Sequence, residues 1–551
     1  MSGSRWSRLL RVSASVWIGA AIAAAAPALA SVPPDRGDLG LAYLRFERAV
    51  AAAAKDPATR RRANTAFDAL TSDFFAGRFD RALVRLAEIE GDLAGDAPDA
   101  QGRSERAFLA SHRFEVEPRL AAREHARTFA VRAVALDGMP VGTRPTRIVL
   151  RQGAREFAAA IVPSAQGGAS FACAIEVDAP LSSGSVEFVA RMESLGDVVI
   201  GRSFLLESAP AVLRDALMAR IDALAARSGD PARGPRDAGL GGPSPDASSD
   251  ASPDASTMAS LRARHELAFG TFDRGKSADL LADPSALAIS LAREIEDASA
   301  GRRPYAVAGD TWRVLRVLGT DLPVRQFVPE GDGPFPLIVA FHGAGGDENL
   351  FFDGYGGGRL LTIAQQRGIA VVCPPTVPFG LSPNVLTKFL EELAKDVPFD
   401  PTRVGLIGHS LGAVTASRLA VLRPDSVNGA VCIAGFADLA RNVAPPPRMV
   451  YLAELDPLFP LDATRTAVES AQARDNAVTP DSVTLKVIPH EGHTLVVGEV
   501  LDQALDWLLA RPARQTAPKK PTASAPSTMP MKTGVPSPAD SDSSPSAGPM
   551  K

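Results

Sequence analysis

A serine between two glycines, Gly408-His409-Ser410-Leu411-Gly412, is the strongest chemical signal in the chain. It follows the apolar run 404–407 and opens a helical pattern, which predicts a strand-to-helix turn with the hydroxyl lifted clear of the sheet. A serine hydroxyl becomes a nucleophile only when a histidine takes its proton and a carboxylate orients that histidine. Asp456 lies 46 residues after Ser410 and His493 a further 37, each following an apolar run, 449–453 and 483–488. Glu454 and Asp462 compete with Asp456 for the acid, and His490 competes with His493 for the base. Gly492 gives the loop before His493 room to bend the imidazole inward. His409 reads as a packing and hydrogen-bonding residue aimed away from Ser410. The chemistry these types and this order predict is acyl transfer through a covalent serine ester.

Such chemistry also needs donors for the oxyanion that forms. His342-Gly343-Ala344-Gly345-Gly346 leaves the apolar run 337–341, so the backbone N–H groups of Ala344 and Leu411 are the candidate oxyanion hole. No Gly-Lys-Ser/Thr follows, which excludes a phosphate-binding loop. Neither HExxH nor CxxC occurs, so no metal and no cofactor is expected. The three cysteines, Cys173, Cys373 and Cys432, are too far apart for a disulfide framework and read as free thiols.

The elements that must hold these groups alternate from about 311 to 510. Candidate strands 337–341, 370–373, 404–407, 430–433, 449–453 and 483–488 are separated by helical patterns at 360–367, 385–395, 411–422, 463–474 and 499–509. Continuous apolar strands between helices imply βαβ units and a mostly parallel sheet with flanking helices. In such sheets the reactive groups gather at the carboxyl ends of the strands.

The segments FHGAGGDENLFF (341–352), GHSLG (408–412), AELDPLFP (453–460) and EGHT (491–494) resemble the serine carboxylesterase branch of the α/β-hydrolase superfamily. The similarity is to dienelactone-hydrolase-like proteins, polyhydroxyalkanoate depolymerases, feruloyl esterase-like proteins and predicted peptidases, over about 310–510. It implies ester hydrolysis with Ser410 as nucleophile, His493 as base and Asp456 as its orienter. Dienelactone hydrolases proper carry cysteine where this turn has serine, so the resemblance does not carry the dienelactone substrate over to this chain. Only about fourteen residues, including Pro445-Pro446-Pro447, join the strands ending near 434 and beginning at 449. That leaves no room for a helical lid there, so an open site is expected, suited to polymer-linked or bulky esters. The loop 347–358 stands in for a lid, and its Phe351, Phe352 and Tyr355 either line an acyl or sugar pocket or belong to the core.

The remainder of the 551 residues reads as a multi-domain chain. Arg5, Arg8 and Arg11, the apolar run 12–26 and Ala28-Leu29-Ala30 have the form of a signal peptide cut after Ala30, predicting a secreted or periplasmic protein. Residues 34–115 read as helical, with Phe67, Leu70 and Phe74 at helical spacing, and 124–208 as a small β-sandwich-like domain able to contact carbohydrate or cell wall. Residues 209–300 read as helical around a Ser/Pro/Asp-rich tract at 228–257. The α/β-hydrolase domain spans 308–511, and the Pro/Ser-rich tail 512–551 reads as disordered. Lys and Arg number 59 against 63 Asp and Glu, which excludes a strongly basic nucleic-acid binder. Two other readings stand beside the esterase: a serine peptidase of prolyl-oligopeptidase type, and a non-catalytic surface protein with a decayed hydrolase domain.

Overall fold

The computed structural model describes residues 30–53, 56–93, 100–140, 142–162, 170–228, 253–440 and 445–514. The leader, most of the 228–257 tract and nearly all of the tail lie outside the described residues.

Among the described residues four helices come first: α1 (Arg36–Ala53), α2 (Pro57–Phe75), α3 (Phe79–Leu93) and α4 (Ala100–Ala110). Asp56 caps α2 through its carboxylate, and Pro57 occupies the first turn, where its missing N–H costs nothing. Eight strands follow: β1 (His112–Glu117), β2 (Leu120–Ala122), β3 (Thr128–Ala135), β4 (Arg147–Gln152), β5 (Arg155–Ile161), β6 (Phe171–Glu176), β7 (Gly184–Arg191) and β8 (Asp197–Leu206). They make a three-stranded sheet, β1-β3-β6, and a five-stranded one, β2-β8-β7-β4-β5. Both contribute to one core that includes Phe129, Val131, Ile148, Leu150 and Phe188.

Helices α5 (Pro210–Ser228), α6 (Ala255–Phe269), α7 (Ser277–Leu281) and α8 (Pro284–Ser299) lead into the large sheet. Its strands are β9 (Gly309–Val317), β10 (Thr320–Val328), β11 (Phe335–Phe341), β12 (Ala370–Cys373), β13 (Phe399–His409), β14 (Gly429–Ile433), β15 (Arg448–Ala453) and β16 (Val483–Ile488). The order across the sheet is β9-β10-β12-β11-β13-β14-β15-β16. All neighbours from β12 onward are parallel, while β10 runs antiparallel to both β9 and β12. Between the strands lie α9 (Arg359–Arg367), α10 (Thr376–Leu381), α11 (Asn384–Leu393), α12 (Leu411–Leu422) and α13 (Leu461–Asp475), with α14 (Val496–Leu509) last.

Strand β11 shows how both faces are filled. Ile338 and Ala340 pack with residues of α9 and α14, whereas Leu337, Val339 and Phe341 pack with residues of α11 and α12. A strand buried on both faces loses the polar alternation of a surface strand, which is why it is apolar throughout. The open edge is closed by α6. The Ser260 hydroxyl donates to the Val314 carbonyl at 2.6 Å and accepts from the Val314 N–H at 3.1 Å, and Ser256 accepts from the Arg316 N–H at 3.0 Å. These hydroxyls satisfy the backbone groups that an uncovered β9 would expose.

Cys373 and Cys432 lie on β12 and β14, which β11 and β13 separate, and all three cysteines are free. Among the described residues no helix is long and apolar enough to cross a membrane.

Candidate active site

Ser410 stands between the end of β13 and the first residue of α12, with φ 54° and ψ −117°. A non-glycine residue held there stores about 1–3 kcal/mol of strain, which the surrounding packing must offset. Gly408 and Gly412 permit the turn sterically. A Cβ on Gly408 would collide with the Gly412 backbone, and one on Gly412 with the Phe341 carbonyl. The Ser410 N–H donates to the Ile433 carbonyl at 3.0 Å, pinning the turn to β14.

His493 Nδ1 lies 2.9 Å from Asp456 Oδ2, and both side chains are buried. The other oxygen of Asp456 accepts from the Leu458 and Phe459 N–H groups, each at 2.9 Å. Both carboxylate oxygens are thus engaged, and the imidazole is left one edge for chemistry. Glu454 instead accepts from the His490 N–H, and Asp462 sits in the first turn of α13. The ring of Phe459 stacks on His493 at 5.9 Å between centroids. Ser410 and His493 line the same cavity.

His409 holds the neighbouring loops together. Its Nε2–H donates to the His493 carbonyl at 2.9 Å, and its Nδ1 accepts from the Tyr355 hydroxyl at 2.7 Å. Burial pushes its pKa well below the usual imidazole range, which keeps the ring neutral in this tautomer. The same Tyr355 oxygen accepts from the Gly343 N–H at 3.3 Å. On the far side His342 Nδ1 donates to the Gly343 carbonyl at 2.8 Å, while Nε2 accepts from the Thr376 N–H at 3.3 Å. The oxyanion loop is therefore braced from two directions. It passes close to the nucleophile: a Cβ on Gly343 would stand 3.2 Å from the Ser410 Cβ. Ala344 lies on this exposed stretch of loop, and Leu411 opens α12, where an N–H has no preceding turn to bond.

Of the two alternatives for the aromatics of the 347–358 loop, Phe351 and Phe352 take the second: they do not line the cavity but are buried in the core formed with α9 and α14. The chain at Leu350–Gly354 winds as one wide helical turn, and this carries both rings inward. Tyr355 does reach the cavity, but its hydroxyl is spent on His409 and Gly343. Helices α1 and α2 also reach the site: Leu39, Tyr43, Leu44, Phe67, Leu70 and Phe74 line the same cavity as Ser410. The wall that the β14–β15 connection has no room to supply is built in part by these two helices. Leu495, two residues beyond His493, packs in the core of that helical region, and Phe74 meets Gly345 of the oxyanion loop.

Sequence reasoning missed the groups on α2 that hold the histidine loop. Asn64 Oδ1 accepts from the Gly492 N–H at 2.8 Å, and Asn64 Nδ2 donates to the His490 carbonyl at 3.1 Å. Asp68 Oδ2 accepts from the His493 N–H at 3.1 Å. Arg60 binds the buried Glu491 through both carboxylate oxygens. Burial pushes the Asp68 carboxyl up to about 7, although the His493 N–H and charge work against it. The available signal was Asn64 and Asp68 one turn apart, among Ala63, Phe67 and Leu70 on a predicted buried stripe. Gly492 also has a different reason: a Cβ there would collide with Asp68, whereas the left-handed turn falls at His490, with φ 64°.

Among the described residues no group of three or more His, Cys, Asp or Glu could hold a metal ion. A sheet of this order, with one antiparallel strand near its edge and a serine turn followed by acid and histidine at strand ends, defines the α/β-hydrolase fold.

Comparison with known proteins finds similarity over part of the chain. The chain is 30% identical over 208 residues to NocK of Nocardia uniformis subsp. tsuyamanensis, described as an esterase; the match takes in 33% of this chain and spans 58% of that protein. Solved structures similar to part of the chain include a thermostable esterase (21% identical, TM-score 0.31, 37% of this chain and 63% of that one). Others are an S-formylglutathione hydrolase from Agrobacterium tumefaciens (16%, TM-score 0.32, 37% and 96%) and a feruloyl esterase module from Clostridium thermocellum (14%, TM-score 0.31, 38% and 92%). No family model matches the chain.

Proposed function

We propose that the protein is an exported serine hydrolase that cleaves carboxylic esters through an acyl-enzyme. The observation that carries this reading is the buried Asp456–His493 pair beside a strained, glycine-flanked Ser410 in one cavity. His493 takes the Ser410 proton as the hydroxyl attacks the ester carbonyl, and Asp456 steadies the resulting imidazolium. The oxyanion is received by the N–H groups of Ala344 and Leu411. His493 then protonates the departing alkoxide, and a water, activated by the same base, releases the acid. The similarity to NocK supports ester hydrolysis as the general activity. Export rests on Arg5, Arg8, Arg11, the apolar run and Ala28-Leu29-Ala30, and intact-mass analysis of protein recovered from the cell exterior or periplasm tests it by a new terminus at Ser31.

The test of activity uses a fluorophosphonate probe, p-nitrophenyl acetate and butyrate, and a proline-containing peptide amide. Labelling that disappears in Ser410→Ala, with ester but not amide turnover, supports the esterase. Faster amide turnover moves the assignment to the peptidase reading. A wild type that neither labels nor turns over any of them sinks both.

A further inference from the structure

The cavity over Ser410 has a volume of about 230 Å³. Apolar side chains of α1 and α2 make its upper wall, and Leu350 and Leu458 join the oxyanion loop below. The charged groups at its edge have partners. Arg36 donates to the Gly345 carbonyl, Arg274 pairs with Asp35 and Asp38, Asp353 pairs with Arg325, and Asp347 accepts from the Asn349 N–H at 3.1 Å. The rest of the lining is largely apolar, and a pocket lined this way selects an apolar group.

Gly40 adds an independent observation. It lies inside α1, where glycine is less stable than alanine by a factor of about two to five. Gly37, one turn earlier, has a packing reason, because a Cβ there would stand 2.6 Å from the Arg274 carbonyl oxygen. Gly40 has none: a Cβ there meets nothing within 4 Å, its φ is ordinary, and the residue lines the cavity. Its effect is to leave space free in the cavity that Ser410 also lines.

We propose that α1 and α2 form the acyl-binding wall of the site. The substrates are then esters of an apolar acid of medium size, with Gly40 keeping the depth of the pocket. The proposal rests on Ser410 being the nucleophile. An apolar cavity of roughly 150 Å³ accommodates benzene, so this one takes an acyl group of roughly six to eight carbons or a phenyl-bearing one. The acyl group remains covalently bound after the alcohol departs, so the cavity suits the part that stays.

The test measures kcat/KM of the full-length protein on p-nitrophenyl acetate, butyrate, hexanoate and octanoate, alongside ethyl and hexyl acetate. The wild type is expected to prefer hexanoate to acetate at least tenfold, with little gain from lengthening the alcohol. Gly40→Leu should lower the hexanoate-to-acetate ratio at least tenfold and Gly40→Ala less. Thr71→Phe, on α2 and also lining the cavity, repeats the measurement should Gly40→Leu fail to fold. Ser410 labelling with a flat acyl series, a preference that follows the alcohol, or a ratio unmoved in the folded variants overturns the pocket assignment alone. Absence of both labelling and turnover overturns the hydrolase reading, and this proposal with it.

Discussion

Asp68 on α2 holds the backbone N–H of His493 at 3.1 Å, across 425 residues of sequence. One turn earlier on the same helix, Asn64 holds the N–H of Gly492. The loop carrying the base is thus positioned by a helix from the start of the chain, while Asp456 orients the imidazole itself. The helical region is part of the active-site construction.

The first prediction concerns this clamp. Asp68→Ala frees the His493 N–H and the loop around it, and a displacement of about 1 Å in a catalytic group can cost about 10²-fold in rate. We expect kcat to fall roughly 10–100-fold with KM nearly constant. Asp68→Asn, which keeps an oxygen acceptor, should recover most of the loss. Steady-state kinetics on both variants checks this; equal losses would show that charge matters and the hydrogen bond does not.

Tyr355 gives a second prediction. Its hydroxyl bridges the Gly343 N–H of the oxyanion loop and His409 Nδ1. Tyr355→Phe keeps the ring in place and leaves two buried polar groups unpaired, each at a cost of about 1–3 kcal/mol in stability. Denaturant unfolding should report that loss. Because the loop must receive the oxyanion, kcat should drop further than KM rises.

How much of this was legible in the sequence depended on the range of each interaction. Strands 404–407 and 449–453 are apolar because both faces are buried, and the glycines around Ser410 are forced by local backbone approach, so local patterns reveal them. Strands β9 and β10 were not picked out individually, because buried polar groups interrupt their pattern. Arg313 and Gln326 bond to each other inside the sheet, and Arg313 pairs with the buried Asp396. The wall built by α1 and α2 was illegible for a different reason. Asn64 and Asp68 declare themselves only as polar residues on an apolar stripe, and nothing local to them names a partner more than 400 residues away. Phe351 and Phe352 stayed undecided between wall and core for a related reason, since an aromatic near a site has no sequence mark separating the two.

The orienting acid gives a third prediction. Asp456→Asn preserves the two N–H contacts to Leu458 and Phe459 through its carbonyl oxygen but presents an amide to His493 Nδ1, favouring the wrong tautomer. Loss of such a carboxylate costs about 10⁴ in kcat. Glu454→Gln, which alters the partner of His490, should leave activity within about threefold, because that carboxylate does not touch His493. A p-nitrophenyl butyrate assay of the two variants discriminates them, and a reversed order would transfer the orienting role to Glu454.

The fourth prediction follows from Asp68 and Glu47 together. Burial pushes each carboxyl up to about 7, Glu47 beneath the Tyr43 hydroxyl and the Gly356 N–H, and Asp68 beside the histidine loop. In the unfolded chain both titrate near 4. Between about pH 4 and 7 the folded protein therefore holds more protons than the unfolded one, and stability must fall as pH rises through that window. The contribution is fully present below about pH 4 and is lost above about pH 7, opposite in sign to a salt-bridged carboxylate. Replacing Asp68 with asparagine removes one of the two titrations. Its melting temperature should therefore gain on the wild type as pH is raised from 5 to 7.5, with the two curves parallel above pH 8. Thermal unfolding across that range is the measurement, and a difference that stays constant from pH 5 to 7.5 would mean that Asp68 is already ionised at the acid end and that the clamp on His493 carries its full charge throughout.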